Sequence, residues 1–169
     1  MDHSPRDDAS PPVVRRATAD DLPAIVALLR DDVLGATRER ASDAGGDGDD
    51  AALAPYRDAF AEIDRDPQHE VLVLDAGGTV IGVLQLSFLR CLTHEGGRRA
   101  QIEGVRIDRS RRGGGLGRVL IADAVRRARE RGCHLVQLTT DQRRPEALAF
   151  YERLGFVATH HGLKLDLGR

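Results

Sequence analysis

The stretch "RRGGGLGR", residues 111–118, sets three successive glycines between arginines. An alternating stretch, "RRAQIEGVRID" (98–108), precedes it, and a helix-like run, "VLIADAVRRARERG" (119–132), follows it. Glycine has no Cβ and lets successive backbone N–H groups turn toward one point. A helix that starts there adds its own unpaired N–H groups and the positive end of its dipole. Strand, glycine turn and helix together make a cradle for an anion.

The residues exclude two familiar nucleotide loops. A Walker A loop needs G-x-x-x-x-G-K-[ST], but Arg118 follows Gly117 and no Ser or Thr comes next to hold Mg²⁺. A dinucleotide fingerprint needs G-x-G-x-x-G; Gly113 and Gly115 fill two places and the third falls on Arg118. An RGG-type RNA tail fits poorly, because the run is unrepeated and lies between regular elements. On the loop alone, a plain tight turn with solvated arginines stays open.

The rest of the chain reads as alternating strands and helices. "MDHSPRDDASPP" (1–12) is polar and proline-rich, the pattern of a flexible tail before one domain over 13–169. "VVRRA" (13–17) is a strand. "TADDLPAIVALLRDDV" (18–33) is a helix capped by Thr18, with Asp20 and Asp21 in its first turn. Residues 36–52, rich in glycine and aspartate, read as a mobile loop. "LAPYRDAFAEIDRD" (53–66) is a second helix. "EVLVLDAGGTVIGVLQLSFL" (70–89) is a hairpin turning at "AGG". In "RRAQIEGVRID", period two puts Gln101, Glu103, Val105 and Ile107 on one face. The cradle helix closes at Gly132. "HLVQLTT" (134–140) is a central strand, and "RPEALAFYERLG" (144–155) is a helix with Pro145 near its start. "FVATHH" (156–161) and "LKLDL" (163–167) read as a last hairpin. This order predicts a mixed α/β sheet with helices on both faces, built around one parallel, right-handed β-α-β crossover.

Composition narrows the function. The 169 residues suit one domain, and 41% of them are apolar, enough for a core. A net charge of −2 argues against nucleic-acid binding through bulk charge. Cys91 and Cys133 match no metal-ligand spacing, so no metal is expected, and they read as two buried thiols. No stretch approaches a membrane span or a leader peptide, which predicts a cytoplasmic protein. Lys164 is the only lysine among many arginines, a sign of GC-rich coding that lowers the weight of any single arginine.

Two motifs now combine. Arg112, Gly115 and Gly117 form R-x-x-G-x-G at a strand-to-helix junction, which resembles the acetyl-CoA pyrophosphate loop of the GNAT superfamily of N-acetyltransferases. "EALAFYERLGF" (146–156) is similar to that family's A-x-x-F-Y-E-x-L-G-F segment on the following helix. The element order matches across residues 13–167. The resemblance implies the GNAT acyl-CoA N-acyltransferase fold, with a mostly antiparallel sheet of six or seven strands.

It also implies acetyl-CoA as co-substrate. The loop Arg112, Gly113, Gly114, Gly115, Leu116, Gly117 and Arg118 would hold its pyrophosphate. The backbone of Val105, Arg106 and Ile107 would pair with pantetheine as with an added strand. Gly104 permits a bulge that opens the sheet there. Phe150 lies on the coenzyme side of the tyrosine helix. Arg144 stands where the family often has asparagine, so an arginine contact to phosphate replaces that one. Arg153 is a candidate for the 3′-phosphate, with a solvated face as the alternative.

The implied chemistry is acyl transfer directly to a neutral amine. Tyr151 matches the family tyrosine beside the coenzyme sulfur and is the candidate acid for the departing thiolate. Glu103 is the candidate base, directly or through water, because a part-buried carboxylate there suits proton collection near neutral pH. Gln101 faces the same way and reads first as a solvated strand residue, with orientation of a polar substrate group as the alternative. His94, His134, His160 and His161 invite catalytic roles, but His134 begins a strand, His160 and His161 adjoin a turn with at most one facing a site, and such histidines read as structural or exposed. Asp43, Asp47, Asp49 and Asp50 read first as a solvated loop, with attraction of a cationic amine as the alternative.

The expected acceptor is a small-molecule primary amine. A protein N-terminus or lysine is the alternative, and a non-catalytic coenzyme sensor is a third reading. Many members of the superfamily dimerise, and a homodimer is the corresponding expectation here.

Overall fold

Apolar residues two apart in "EVLVLDAGGTVIGVLQLSF" pleat one side of a ribbon toward each of two helix layers. The computed structural model describes residues 11–31 and 48–168. Its strands are β1 (Val13–Arg16), β2 (His69–Ala76), β3 (Thr79–Arg90), β4 (Arg98–Ile107) and β5 (Leu135–Leu138). They lie in the order β1-β2-β3-β4-β5, antiparallel except for the parallel pair β4–β5. The helices are α1 (Leu22–Arg30), α2 (Gly48–Arg65), α3 (Leu116–Glu130) and α4 (Pro145–Arg153). The expected crossover is thus β4–α3–β5.

α3 buries Leu120, Ile121, Ala124 and Ala128 against Leu72, Leu74, Leu84, Leu86, Phe88, Ala100 and Ile102. Those α3 positions share one stripe of a 3.6-residue helix. Phe88 is 1% exposed, and full burial of such a side chain contributes about 1.5–3 kcal/mol. At the rim, buried Glu70 accepts from Arg127 at 2.9 Å and Arg131 at 3.2 Å, tying α3 to β2. The opposite sheet face packs Val73 and Val83 against α1 and α2 through Ile25, Leu28 and Phe60.

The first helix is preceded by a 3₁₀ turn, Ala19–Asp21, with Thr18 at its start. Asp21 accepts from the Thr18 N–H at 2.7 Å and pairs with Arg15, which also reaches Asp75 at 2.8 Å. The Arg15 hydrogen bonds hold the Asp21 carboxyl down at about 2.

Two of these expectations are corrected. The loop assigned to 36–52 ends sooner, because α2 reaches back to Gly48. The tail and the rest of that loop, Asp43 and Asp47 included, lie outside the described residues apart from Pro11, Pro12 and the start of α2. The last hairpin is not formed. Residues 156–168 contain no strand, and Leu163, Leu165 and Leu167 are 93%, 86% and 88% exposed. Alternation sets a pleat, but only a partner strand makes a ladder. The described sheet therefore has five strands. Among the described residues no helix is long and apolar enough to cross a membrane.

Candidate active site

β4 is interrupted where the sequence places Gly104. Gln85 pairs with Glu103 while Val83 pairs with Arg106, so Gly104 and Val105 together face Leu84. Gly104 takes φ 63°, which favours glycine. This bulge reverses the pleat. Gln101 and Glu103 lie on the α1/α2 side, while Val105 and Ile107 pack toward α3 and α4. The single face expected for all four is therefore corrected: an extra residue in one strand shifts side chains to the other face.

The same region loses its neighbour. The β4–β5 ladder stops at Ile102↔Leu138, where β5 ends. From Glu103 onward no strand among the described residues pairs with the outer edge of β4, which is bare in that sense. The Val105 carbonyl accepts from Arg106 Nη1 at 2.9 Å, and the Ile107 carbonyl from Arg112 Nε at 3.0 Å. These are side-chain bonds, which an incoming extended ligand can replace.

Beyond β4 a 3₁₀ turn, Arg109–Arg111, is braced by Asp108, which accepts from the Ser110 N–H at 2.8 Å. The glycine loop follows. Gly113 and Gly115 take φ 87° and 77°, turning their peptides inward, and Gly115 starts α3. The first helical bond closes at Arg118 N–H to the Gly115 carbonyl, 2.9 Å. The amides before it, Gly113 to Gly117, form no hydrogen bond within the loop and face the helix's positive end. Gly117 is needed for another reason. A Cβ there would stand 3.1 Å from the Phe150 ring, so any side chain would require that ring to give way by a few tenths of an ångström.

Loop, β4 end and α4 enclose a cleft of about 890 Å³. It is lined by Val105, Arg106, Ile107, Arg112, Gly113, Gly115, Leu116, Gly117, Arg118, Arg144, Phe150 and Tyr151. Gly114 sits in the loop without lining it. Seven arginines and one carboxylate, Glu146, face this space, which suits a ligand with several phosphates. Arg111 and Arg143 belong to this lining and were not singled out from sequence. Each is the first member of an arginine pair of which only the second was chosen. Arg153 also lines the cleft.

Tyr151 is half-buried, edge-on to Phe150 at 5.1 Å and to Phe156 at 5.8 Å. Burial pushes its phenol above the ordinary tyrosine value, against the charges of Arg106 and Arg144. The phenol thus stays a proton donor across the neutral range. Glu103 lies outside the cleft lining and is exposed on the α1/α2 side of β4, which corrects the part-buried setting expected for it: the β4–β5 ladder stops just before it, so no strand among the described residues flanks it on that edge. The bulge separates these two groups onto opposite sides of the bare edge. His94 and His134 stack at 4.8 Å, and neither lines the cleft. Cys91 and Cys133 are free thiols.

Known proteins carry the same pattern. The model of the acetyltransferase (GNAT) family matches residues 22–156. A glucosamine 6-phosphate N-acetyltransferase of Trypanosoma brucei brucei is 38% identical over 90 residues, which is 53% of this chain and 59% of that protein. The chain therefore spans under two thirds of that relative's length. A crystal structure described as a transcriptional regulator from Bacillus halodurans C-125 superposes with TM-score 0.85 at 46% identity, covering 92% of this chain and 99% of that one. A Trypanosoma brucei acetyltransferase structure superposes with TM-score 0.70 at 28% identity, covering 92% and 99%. With its glycine loop, bare strand edge and tyrosine helix inside the matched span, the chain belongs to the acetyltransferase (GNAT) family.

Proposed function

We propose that the chain is a cytoplasmic enzyme that transfers the acetyl group of acetyl-CoA directly to the primary amine of a small molecule. An amino-sugar phosphate is the first acceptor to try, because the Trypanosoma relative is named for one. The observation that carries the reading is the continuity of three features in one cleft: free loop amides, the bare β4 edge and the Tyr151 phenol.

Acetyl-CoA supplies an activated thioester. The loop amides and arginines would hold the diphosphate, and the Val105–Ile107 backbone would pair with the pantetheine amides. The amine nitrogen attacks the carbonyl carbon and the carbon–sulfur bond breaks. Tyr151 Oη donates its proton to the departing thiolate, and Glu103 takes the proton lost by the amine, directly or through water.

A panel of amines, glucosamine 6-phosphate and peptides among them, tested for free-thiol release from acetyl-CoA checks this. Release with small amines is the expected result. Release with peptides alone makes the chain a protein acetyltransferase. Tight acetyl-CoA binding without release from any acceptor makes it a coenzyme sensor, a reading favoured by the description of the Bacillus structure as a regulator.

The proposal includes a homodimer. Leu163, Leu165 and Leu167 form an alternating apolar arm with no strand partner among the described residues, and β5 is the terminal strand of the described sheet. A second copy matches both needs by exchanging arms. Light scattering should give a dimer for the full chain and a monomer after truncation at Gly162; a monomeric full chain removes the dimer.

A further inference from the structure

On the α1/α2 face of the sheet one row differs from its neighbours. His69, Ser87, Gln101 and Gln137 stand opposite one another across β2, β3, β4 and β5. His69 Nδ1 and Ser87 Oγ are 2.8 Å apart, and Gln137 Nε2 donates to Gln101 Oε1 at 2.6 Å. A row roofed by helices is apolar, as Val73 and Val83 are beneath α1 and α2. A row on a wet face is exposed. This row is neither: Ser87 is 4% exposed and the two glutamines are half-buried. Polar groups are kept half-buried at a cost unless they have partners.

The valences left over point to a partner. Each carboxamide has two donors and two acceptor lone pairs, and the Gln101–Gln137 bond uses one of each. The remaining Gln101 contact, to the Ile102 carbonyl, is long at 3.5 Å. Two residues on along β4, on the same face, Arg99 keeps its Nε buried without a hydrogen-bond partner among the described residues. Two residues the other way stands Glu103, beside the bare edge. Side chains two apart on a strand are separated by about 6.7 Å, so Glu103, Gln101 and Arg99 span about 13 Å in a line.

We infer that this line is the acceptor subsite, and that it takes a small polyhydroxylated primary amine with an anionic group at its far end. The amine lies at Glu103 by the thioester. The hydroxyls bond to Gln101 and Gln137, with Ser87 and His69 behind them, and the anion meets Arg99. The inference rests on the acetyltransferase reading for its orientation, with the amine toward β4's bare edge.

The test compares glucosamine with glucosamine 6-phosphate, using both initial rates at saturating acetyl-CoA and saturation-transfer NMR binding to the CoA-loaded protein. Gln101→Leu and Gln137→Leu should each raise KM and Kd for both sugars at least tenfold and leave the acetyl-CoA Kd within twofold, which also reports an intact fold. Arg99→Met should raise both constants tenfold for the phosphate ester alone. Sugar constants within twofold of wild type in both glutamine variants overturn the subsite. Equal effects of Arg99→Met on the two sugars overturn the anion end. A wild-type chain that binds neither sugar overturns the inference even if another amine releases thiol. A chain that binds both sugars through these residues but releases no thiol keeps the subsite and overturns the acetyltransferase reading.

Discussion

Replacing Gly115 by glutamate puts a negative charge at the mouth of the loop that is assigned to the diphosphate. Gly115 has φ 77° and ψ 0°, and a Cβ there meets nothing within 4 Å. Bulk alone therefore does little damage. The left-handed backbone costs any L residue roughly 1–2 kcal/mol. Gly115→Ala isolates that strain: Tm should fall by roughly 2–8 °C for a chain of this size, with the acetyl-CoA Kd within threefold. Gly115→Glu adds charge. At about 5 Å and an effective dielectric of about 20, each phosphate charge is repelled by about 3 kcal/mol. Rotation of the side chain toward solvent and the nearby arginines reduce this; about 2 kcal/mol remains as a floor, which is roughly thirtyfold in Kd. Gly115→Lys has similar bulk and the opposite charge, and should bind as well as Gly115→Ala. Isothermal titration with acetyl-CoA reads all three. A Gly115→Glu Kd within threefold of the alanine variant refutes diphosphate binding at this loop.

Four further outcomes follow from the site and its supports. Tyr151→Phe should lower kcat by about 100-fold or more with the acetyl-CoA Kd within threefold; a kcat within threefold of wild type removes the acid assignment. Because burial raises the Tyr151 pKa, the protonated donor persists past the ordinary tyrosine range, and the wild-type kcat should show no alkaline limb below about pH 10. Glu103→Gln should lower kcat by about 100-fold or more with the acetyl-CoA Kd within threefold, and an unchanged kcat shows that another group collects the amine proton. Asp21, held at about 2 by Arg15, has a folded pKa below its unfolded value of about 3.9. Its stabilisation of about 2 kcal/mol is present above pH 4 and lost as pH falls toward 2. Urea unfolding of Asp21→Asn should show that deficit at pH 7 and little of it near pH 2; a constant difference across that range contradicts the ion pair.

Much of this was legible in local sequence because local physics decides it. Gly113 and Gly115 announce left-handed backbone, Pro145 and Gly155 bracket α4, and the period-two run of β2 and β3 fixes the hairpin. What was not legible depends on partners. Leu163, Leu165 and Leu167 have a strand's alternation, but no sequence pattern supplies the neighbour that would turn it into a ladder. Gly104 signalled a bulge, yet its effect on the facing of Val105 and Ile107 appears only once β3 is laid beside β4. Ser87 and Gln137 passed unnoticed because their row exists only in the register of four strands. Gly48, Asp49 and Asp50 read as loop by composition, and the α2 stripe behind them extends the helix through them.

The most direct test is a crystal structure of the chain soaked with acetyl-CoA. The account predicts the diphosphate within hydrogen-bond distance of the Gly113–Gly117 amides, the pantetheine amides on the Val105–Ile107 backbone in place of the Arg106 and Arg112 side chains, and the sulfur beside Tyr151 Oη. A diphosphate seated anywhere else, with the loop amides bonded only to water, contradicts it.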